Sequence, residues 1–192
     1  MKSKDLLKIV IDSLCLYAPV FEDGPIVQKS AYTSSPIMVQ VSNRDTMKNV
    51  ERVDFKYSAK TRKVTIGKNK YVLNKRVSTP FGKLRFVKNP NFIAKAKHPL
   101  YFSVIPVEKV LNKVSSKLKV SSAGKLSTVL YMTFRDEVPE RGKDILNLLI
   151  DIYNQEAIHD KNLIASNTLS FVEKRMRHVV RELPVLDRKS VV

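Results

Sequence analysis

The longest regular pattern in the chain runs from Pro139 to Leu183. Helix-spaced apolar residues continue there with no further proline and with no glycine after Gly142. Proline suits the first position of a helix, where its missing N–H costs nothing. Glu140 and Asp144 near the start, and Arg175, Arg177 and Arg181 near the end, complement the helix dipole. Unbroken, such a helix measures roughly 65–70 Å, too long to bury inside a domain of this size. Ile145, Leu146, Leu148, Leu149, Ile150, Ile152 and Tyr153 surround its first turns, which predicts a root buried against a sheet. Farther on the stripe narrows to Ile158, Ala165, Leu169, Val172, Met176, Val179 and Leu183. From Ala165 the steps alternate between four and three, the spacing of a two-position heptad seam, so the far half is expected to pair with another helix. The competing expectation is a long helix lying across its own domain.

Ahead of this helix the periodicity changes repeatedly. Residues 3–17 read as an amphipathic helix capped by Ser3, with Leu6, Leu7, Val10, Leu14 and Tyr17 on one side and Pro19 as its stop. Glu22-Asp23-Gly24-Pro25 and Ser34-Ser35-Pro36 mark residues 22–35 as turn and loop. A strand is expected at Ile37–Val41. Between about 50 and 90 the pattern predicts a β-meander, with strands at Val53–Ser58, Lys63–Ile66, Tyr71–Leu73 and Lys83–Val87. Phe55, Tyr57, Val64, Ile66, Tyr71, Leu73, Leu84 and Phe86 can make its single inner face. A strand at Tyr101–Ile105, a helix at Val107–Leu118 opened by Pro106, and strands at 117–121 and 126–134 complete the order. The expected fold class is therefore α+β: a mixed or antiparallel sheet with helices on one face, an inserted β-meander at about 50–90, and one long projecting C-terminal helix at about 138–183.

Composition narrows the chemistry. The length of 192 residues suits one domain with a small insert. The lone Cys15 excludes an internal disulfide and a cysteine-based zinc site. No apolar run approaches ~18 residues, and Lys2, Lys4, Asp5, Lys8 and Asp12 interrupt the first apolar stretch, so neither a span nor a signal peptide is predicted. The net charge is +17, and residues 44–119 alone hold 20 Lys/Arg against 4 Asp/Glu. Such a segment fits nucleic acid, anionic lipid or an acidic polymer. Lys56, Lys63, Lys70, Lys75, Arg76, Lys83 and Arg85 are the candidates for contact with an anionic polymer or lipid. Edge lysines also guard strands against aggregation, which is the bland reading of the same residues.

No phosphate-binding glycine loop or dinucleotide fingerprint is present among only five glycines. His98, His159 and His178 stand far apart, at no ligand spacing. Glu156 and Asp160 are four apart, and without a histidine companion they read as a surface pair or as interchain ion-pair partners rather than a metal site. No catalytic, cofactor-binding or metal-ligating residue is assigned, so this chain is expected to be no enzyme by itself and to carry no cofactor.

The long helix carries a resemblance. Asp136-Glu137-Val138-Pro139, Gly142-Lys143-Asp144-Ile145-Leu146-Asn147, Tyr153-Asn154-Gln155-Glu156-Ala157, Asp160-Lys161-Asn162, Asn167-Thr168 and Phe171 resemble the C-terminal helix in the periplasmic domain of chain-length determinant (Wzz-type) polysaccharide co-polymerases. Thr79-Pro80-Phe81-Gly82-Lys83 and Lys2-Ser3-Lys4-Asp5-Leu6-Leu7 resemble the branch fused to a cytoplasmic tyrosine autokinase, which acts in capsule and exopolysaccharide export. The resemblance implies a parent protein that spans the bacterial inner membrane twice, holds this domain in the periplasm, forms a ring that sets polymer length, and works with a polysaccharide polymerase and export machinery. It also implies a kinase domain beyond this sequence. Residues 1–186 are expected to be part of that periplasmic domain. Residues 187–192 depart from the family pattern and match what a common sequencing adapter encodes, so a fragment is expected. Within a ring, Tyr153, Asn154, Glu156, Asp160, Lys161, Asn162, Asn167 and Thr168 are the expected oligomer interface, and the anionic polysaccharide itself is a further expected contact. Three rival readings stand beside this one, of which an enzyme with a site completed by another subunit has no residues to name. Of the remaining two, one is a basic nucleic-acid-binding domain with Phe55, Tyr57, Tyr71, Phe81 and Phe86 interleaved among its cations, although no recognition motif appears. The other is a periplasmic adaptor of an export system, which requires a second long helix.

Overall fold

The computed structural model describes residues 3–41, 49–125 and 127–187, and the side chains of 4–41, 49–125 and 127–179. The chain divides into two compact units, Met1–Leu149 and Ile150–Val192. Among the described residues three helices and eleven strands make an α+β fold in which every strand pair is antiparallel.

Helix α1 spans Ser3–Ser13 and buries Leu7, Val10 and Ile11. It stops well short of Pro19. Cys15 takes a left-handed backbone at φ 52°, while Cys15 N–H donates to the Asp12 carbonyl and Leu16 N–H to the Ile11 carbonyl. That is a Schellman-type stop made without glycine, which is why the residue pattern extended the helix too far.

Strands β1 (Val20–Asp23) and β2 (Gln28–Ser30) form a hairpin where loop was expected. Strand β3 (Ile37–Val41) matches its prediction. The segment at 50–90 yields β4 (Val50–Ser58), β5 (Lys63–Ile66), β6 (Asn69–Val72), β7 (Arg76–Thr79) and β8 (Gly82–Lys88). Strand β9 (Leu100–Val104), helix α2 (Val107–Lys117), and the pair β10 (Leu118–Ser122) and β11 (Leu130–Phe134) follow. Leu126, expected to open the last strand, lies outside the described residues.

The strands at 50–90 do not form one meander sheet. They are shared between a six-stranded sheet, in the order β2-β1-β9-β4-β5-β6, and a three-stranded sheet, β3-β8-β7. The inner residues expected to share one face therefore come from two sheets that pack on each other. Phe86 on β8 meets Phe102 on β9 with ring centroids 6.3 Å apart and Tyr71 on β6 at 5.8 Å. Phe55, Val64, Ile37, Val39 and Leu84 are buried with them. Two glycines have backbone reasons: Gly67 at φ 56° in the β5–β6 turn and Gly82 at φ 121° after Pro80-Phe81.

Helix α3 runs from Pro139 to Asp187, past Pro184. Arg181 and Leu183 fall on it, but their side chains lie outside those described, as do residues 188–192 entirely. Its first turns are not buried all round. Gly142, Ile145, Leu149 and Ile152 form a buried stripe, whereas Ile150 and Tyr153 are exposed. Among the described residues no helix is long and apolar enough to cross a membrane.

Candidate functional site

The seven cations proposed for anion contact sort into two groups. On β4, β5 and β6 the outward residues alternate with the buried Phe55 and Val64, and register places Lys56, Thr65 and Lys70 in one cross-strand row and Ser58, Lys63 and Val72 in the next. On the other sheet Arg76, Arg85 and Gln40 make one row across β7, β8 and β3, and Ser78 faces Lys83 in the next. Because the two sheets meet through their inner faces, these outer faces point away from each other. The expected single basic surface is thus a lysine face and an arginine-containing face, with Lys75 in the turn between β6 and β7. All seven are exposed except Arg85, which is half-buried.

The charge around them is one-sided. From Phe55 to Val107 the sequence contains 13 Lys/Arg and no Asp or Glu. Among the described residues none of those cations forms an ion pair. Arg52, just before this stretch, is the contrast. Its guanidinium donates to Asp23 at 2.6 Å and Asp54 at 2.9 Å, and lies 4.5 Å over the Tyr101 ring, which stacks on Phe21. Hydrogen bonding from Arg52 holds the Asp23 carboxyl below its ordinary range. One guanidinium between two carboxylates leaves that group with no unpaired cation to offer an anionic ligand.

A second locus is a pocket of about 150 Å³ within the first unit. Its walls include Leu16, Val20, Ile37 and Val114, with Asn89 and Arg141 among its polar lining. Around it lies a polar knot that residue spacing did not reveal. Tyr32 Oη donates to Asp144 Oδ2 at 2.7 Å and accepts from Asn91 Nδ2 at 2.8 Å. Asn89 Nδ2 donates to the Tyr32 and Ser35 carbonyls. Arg141 binds Asp136 through Nε at 2.8 Å and through a second, shorter contact, while its third nitrogen donates to Ser30 Oγ at 3.0 Å. Asp136 also accepts from the Val138 N–H, covering the start of α3. Burial alone would raise the Asp136 carboxyl, but Arg141 and the Val138 amide outweigh it and hold the group below the ordinary range. Burial, then the Asp144 carboxylate, pushes the Tyr32 phenol up. These carboxylates are occupied as acceptors, so the knot anchors the start of α3 and offers no nucleophile or free base. The one sequence signal for it was Asp136 standing five residues before Arg141 at a helix start.

The third locus belongs to the second unit. Of the eight residues expected at an oligomer interface, Glu156 is half-buried and the other seven are exposed. At about 100° per residue, seven of the eight fall within an arc of about 160°, with Asn162 outside it. Thr168 Oγ1 donates back to the Ile164 carbonyl at 2.8 Å, which uses its hydrogen within the helix. The seam residues lie along one edge of that arc, and Ile158, Leu169, Val172, Met176 and Val179 are each 48–64% exposed. An apolar stripe thus lies exposed beside a polar arc.

Glu156 and Asp160 share the arc. Among the described residues, however, no group of three or more His, Cys, Asp or Glu side chains stands close enough to share a metal ion. No known family model matches the chain.

Proposed function

We propose that this chain is the periplasmic core of an inner-membrane polysaccharide co-polymerase, which regulates chain length and export of a capsular or exopolysaccharide, and whose longer parent is a tyrosine autokinase. The observation that carries the reading is the surface of α3. The Tyr153–Glu156, Asp160–Asn162 and Asn167–Thr168 clusters that resemble the family helix are presented beside an uncovered apolar seam. In a head-to-tail ring each copy supplies this helix to its neighbour, and the contact repeats until it closes. Weak contacts between the basic sheet faces and an anionic polymer are then multiplied by the number of copies. The implied partners are the polymerase and the export machinery at the periplasmic face.

The deciding experiment is sequencing of the genomic locus on both sides. An upstream span, a downstream span and then a Walker-type kinase domain support the full reading. A downstream span without a kinase domain removes the kinase and keeps the chain-length role. Absence of flanking spans sinks the membrane reading.

A nucleic-acid-binding module is the second reading, favoured by the 13 cations and absent carboxylates between Phe55 and Val107. Against it, Phe55 and Phe86 are buried and Tyr57, Tyr71 and Phe81 half-buried, so they offer no stacking platform. Oligonucleotide binding with a steep salt slope would favour it. The adaptor reading lacks its second long helix among the described residues, since α1 and α2 have 11 residues each.

A further inference from the structure

We propose that the outer face of β7 and β8 is a binding site for a phosphate-class dianion, built on Arg76, Arg85 and Lys83. The proposal sharpens the anionic-contact part of the reading above and rests on it only for its biological setting.

The starting point is a pairing that sheet formation disfavours. Arg76 and Arg85 are direct cross-strand partners on the outer face. Like charges placed so are destabilising, with Cβ atoms about 4.5–5.5 Å apart. Lys83 is the next outward residue on β8 and faces Ser78, while Gln40 completes the arginine row on β3. Three cations and the Ser78 hydroxyl thus occupy a patch two rows deep, whereas the Gln40 side chain is hydrogen-bonded to Cys15. Charges that merely protect an edge strand do not need a like-charged partner across the ladder. Among the described residues no carboxylate pairs with any of the three cations.

The patch is also held in place. Arg85 is half-buried, and its Nε donates to the Asn74 carbonyl at 3.2 Å, which leaves the two terminal nitrogens for a ligand. Asn74 has the left-handed backbone of the β6–β7 turn at φ 63°, and its N–H donates to the Phe86 carbonyl at 2.8 Å. The turn that anchors Arg85 is therefore tied to β8, the strand that carries it.

Donor number separates phosphate from carboxylate. A carboxylate offers about four lone-pair sites. Two arginine edges, an ammonium and a hydroxyl exceed that capacity, whereas a terminal phosphate presents three strong acceptor oxygens and close to two negative charges. Guanidinium edges also match phosphate geometry in a way that ammonium groups do not. The lysine face of β4–β6 has no such edges and is the internal control.

The test is titration of the full chain with inorganic pyrophosphate, followed by calorimetry and amide chemical shifts. Binding is expected, with shifts centred on β7 and β8. The Arg76→Gln/Arg85→Gln double variant should bind at least tenfold more weakly, and Arg85→Lys, which keeps the charge and loses the edge, several-fold more weakly. Lys56→Gln/Lys70→Gln should change affinity less than twofold. A thermal melt shows whether each variant is folded, and Arg85→Lys is the fallback if the double variant is not. Equal weakening by the lysine and arginine variants overturns the proposal, because the binding is then diffuse charge. So does displacement of pyrophosphate by a phosphate-free polyuronate at equal charge concentration. Phosphatidic acid vesicles that bind the wild type and not the double variant, with phosphatidylcholine vesicles inert, identify a lipid headgroup as the source. Pyrophosphate binding without vesicle binding identifies a soluble or glycan-linked phosphate. None of these outcomes depends on flanking spans or ring assembly, so the anion site and the co-polymerase reading fail separately.

Discussion

The Tyr32 hydroxyl donates to the Asp144 carboxylate at 2.7 Å across 112 residues of chain, joining the loop after β2 to the first turns of α3. Residue spacing assigned Asp144 to the helix dipole alone. In the structure it is also the acceptor that fastens the helix start to the β unit.

Tyr32→Phe removes the donor while keeping the ring. A hydrogen bond to a charged group is worth about 1.5–3 kcal/mol, so the urea midpoint should fall accordingly with an unchanged m-value. Asp144→Asn keeps an acceptor and should cost less. An unchanged midpoint in Tyr32→Phe would show that water replaces the phenol without loss.

Asp136 sets part of the acid limit. Its folded-state carboxyl titrates below the ordinary range, so the unfolded chain binds the proton more readily. The stability it contributes is present above the unfolded value and is lost as pH falls through the folded one, a window that opens below about pH 5. Denaturant melts across that window should show a shallower acid slope for Asp136→Asn than for the wild type. An identical slope would mean that other carboxylates govern acid unfolding.

Arg62 sits exposed at φ 51° in the β4–β5 turn. A left-handed backbone costs an ordinary residue about 1–2 kcal/mol and costs glycine nothing. Allowing for the greater freedom of glycine in the unfolded chain, Arg62→Gly should raise stability by about 0.5–1 kcal/mol, read as a higher melting temperature. A fall would mean that the arginine side chain makes a compensating contribution.

Covering of α3 is tested on its seam. Val172→Glu with Met176→Glu should abolish concentration-dependent self-association in sedimentation, and Glu156→Lys with Lys161→Glu should weaken it. Helix content of the seam variant, measured by circular dichroism, should change little, since both side chains are exposed. Unchanged sedimentation in both variants would remove α3 as the interface.

What could be read from the residues was local. β3, β5 and α2 followed from strict alternation or from Pro106 as a start signal. β1 was hidden because its last two residues, Glu22 and Asp23, look like part of a turn. They are acceptors instead: Glu22 Oε1 takes the Lys97 and His98 N–H groups, and Asp23 takes Arg52. β7 is four residues long with two polar side chains outward, too little pattern to register. The division into two sheets was illegible because it rests on pairings such as β4 with β9 and β3 with β8, between segments far apart in the chain. For the same reason the seven cations looked like one surface. Only register separates Arg76, Lys83 and Arg85 from Lys56, Lys63 and Lys70.

The missing carboxylates between Phe55 and Val107 are expected to reverse the usual effect of ionic strength. Folding draws 13 like charges together with no carboxylate among them in the sequence, which adds repulsion that the extended chain relieves by distance. Dissolved anions supply the neutralisation that the sequence omits. Where most proteins lose a little ion-pair energy as salt screens their surface, this β unit should gain stability as salt is added, read as a melting temperature that rises with ionic strength.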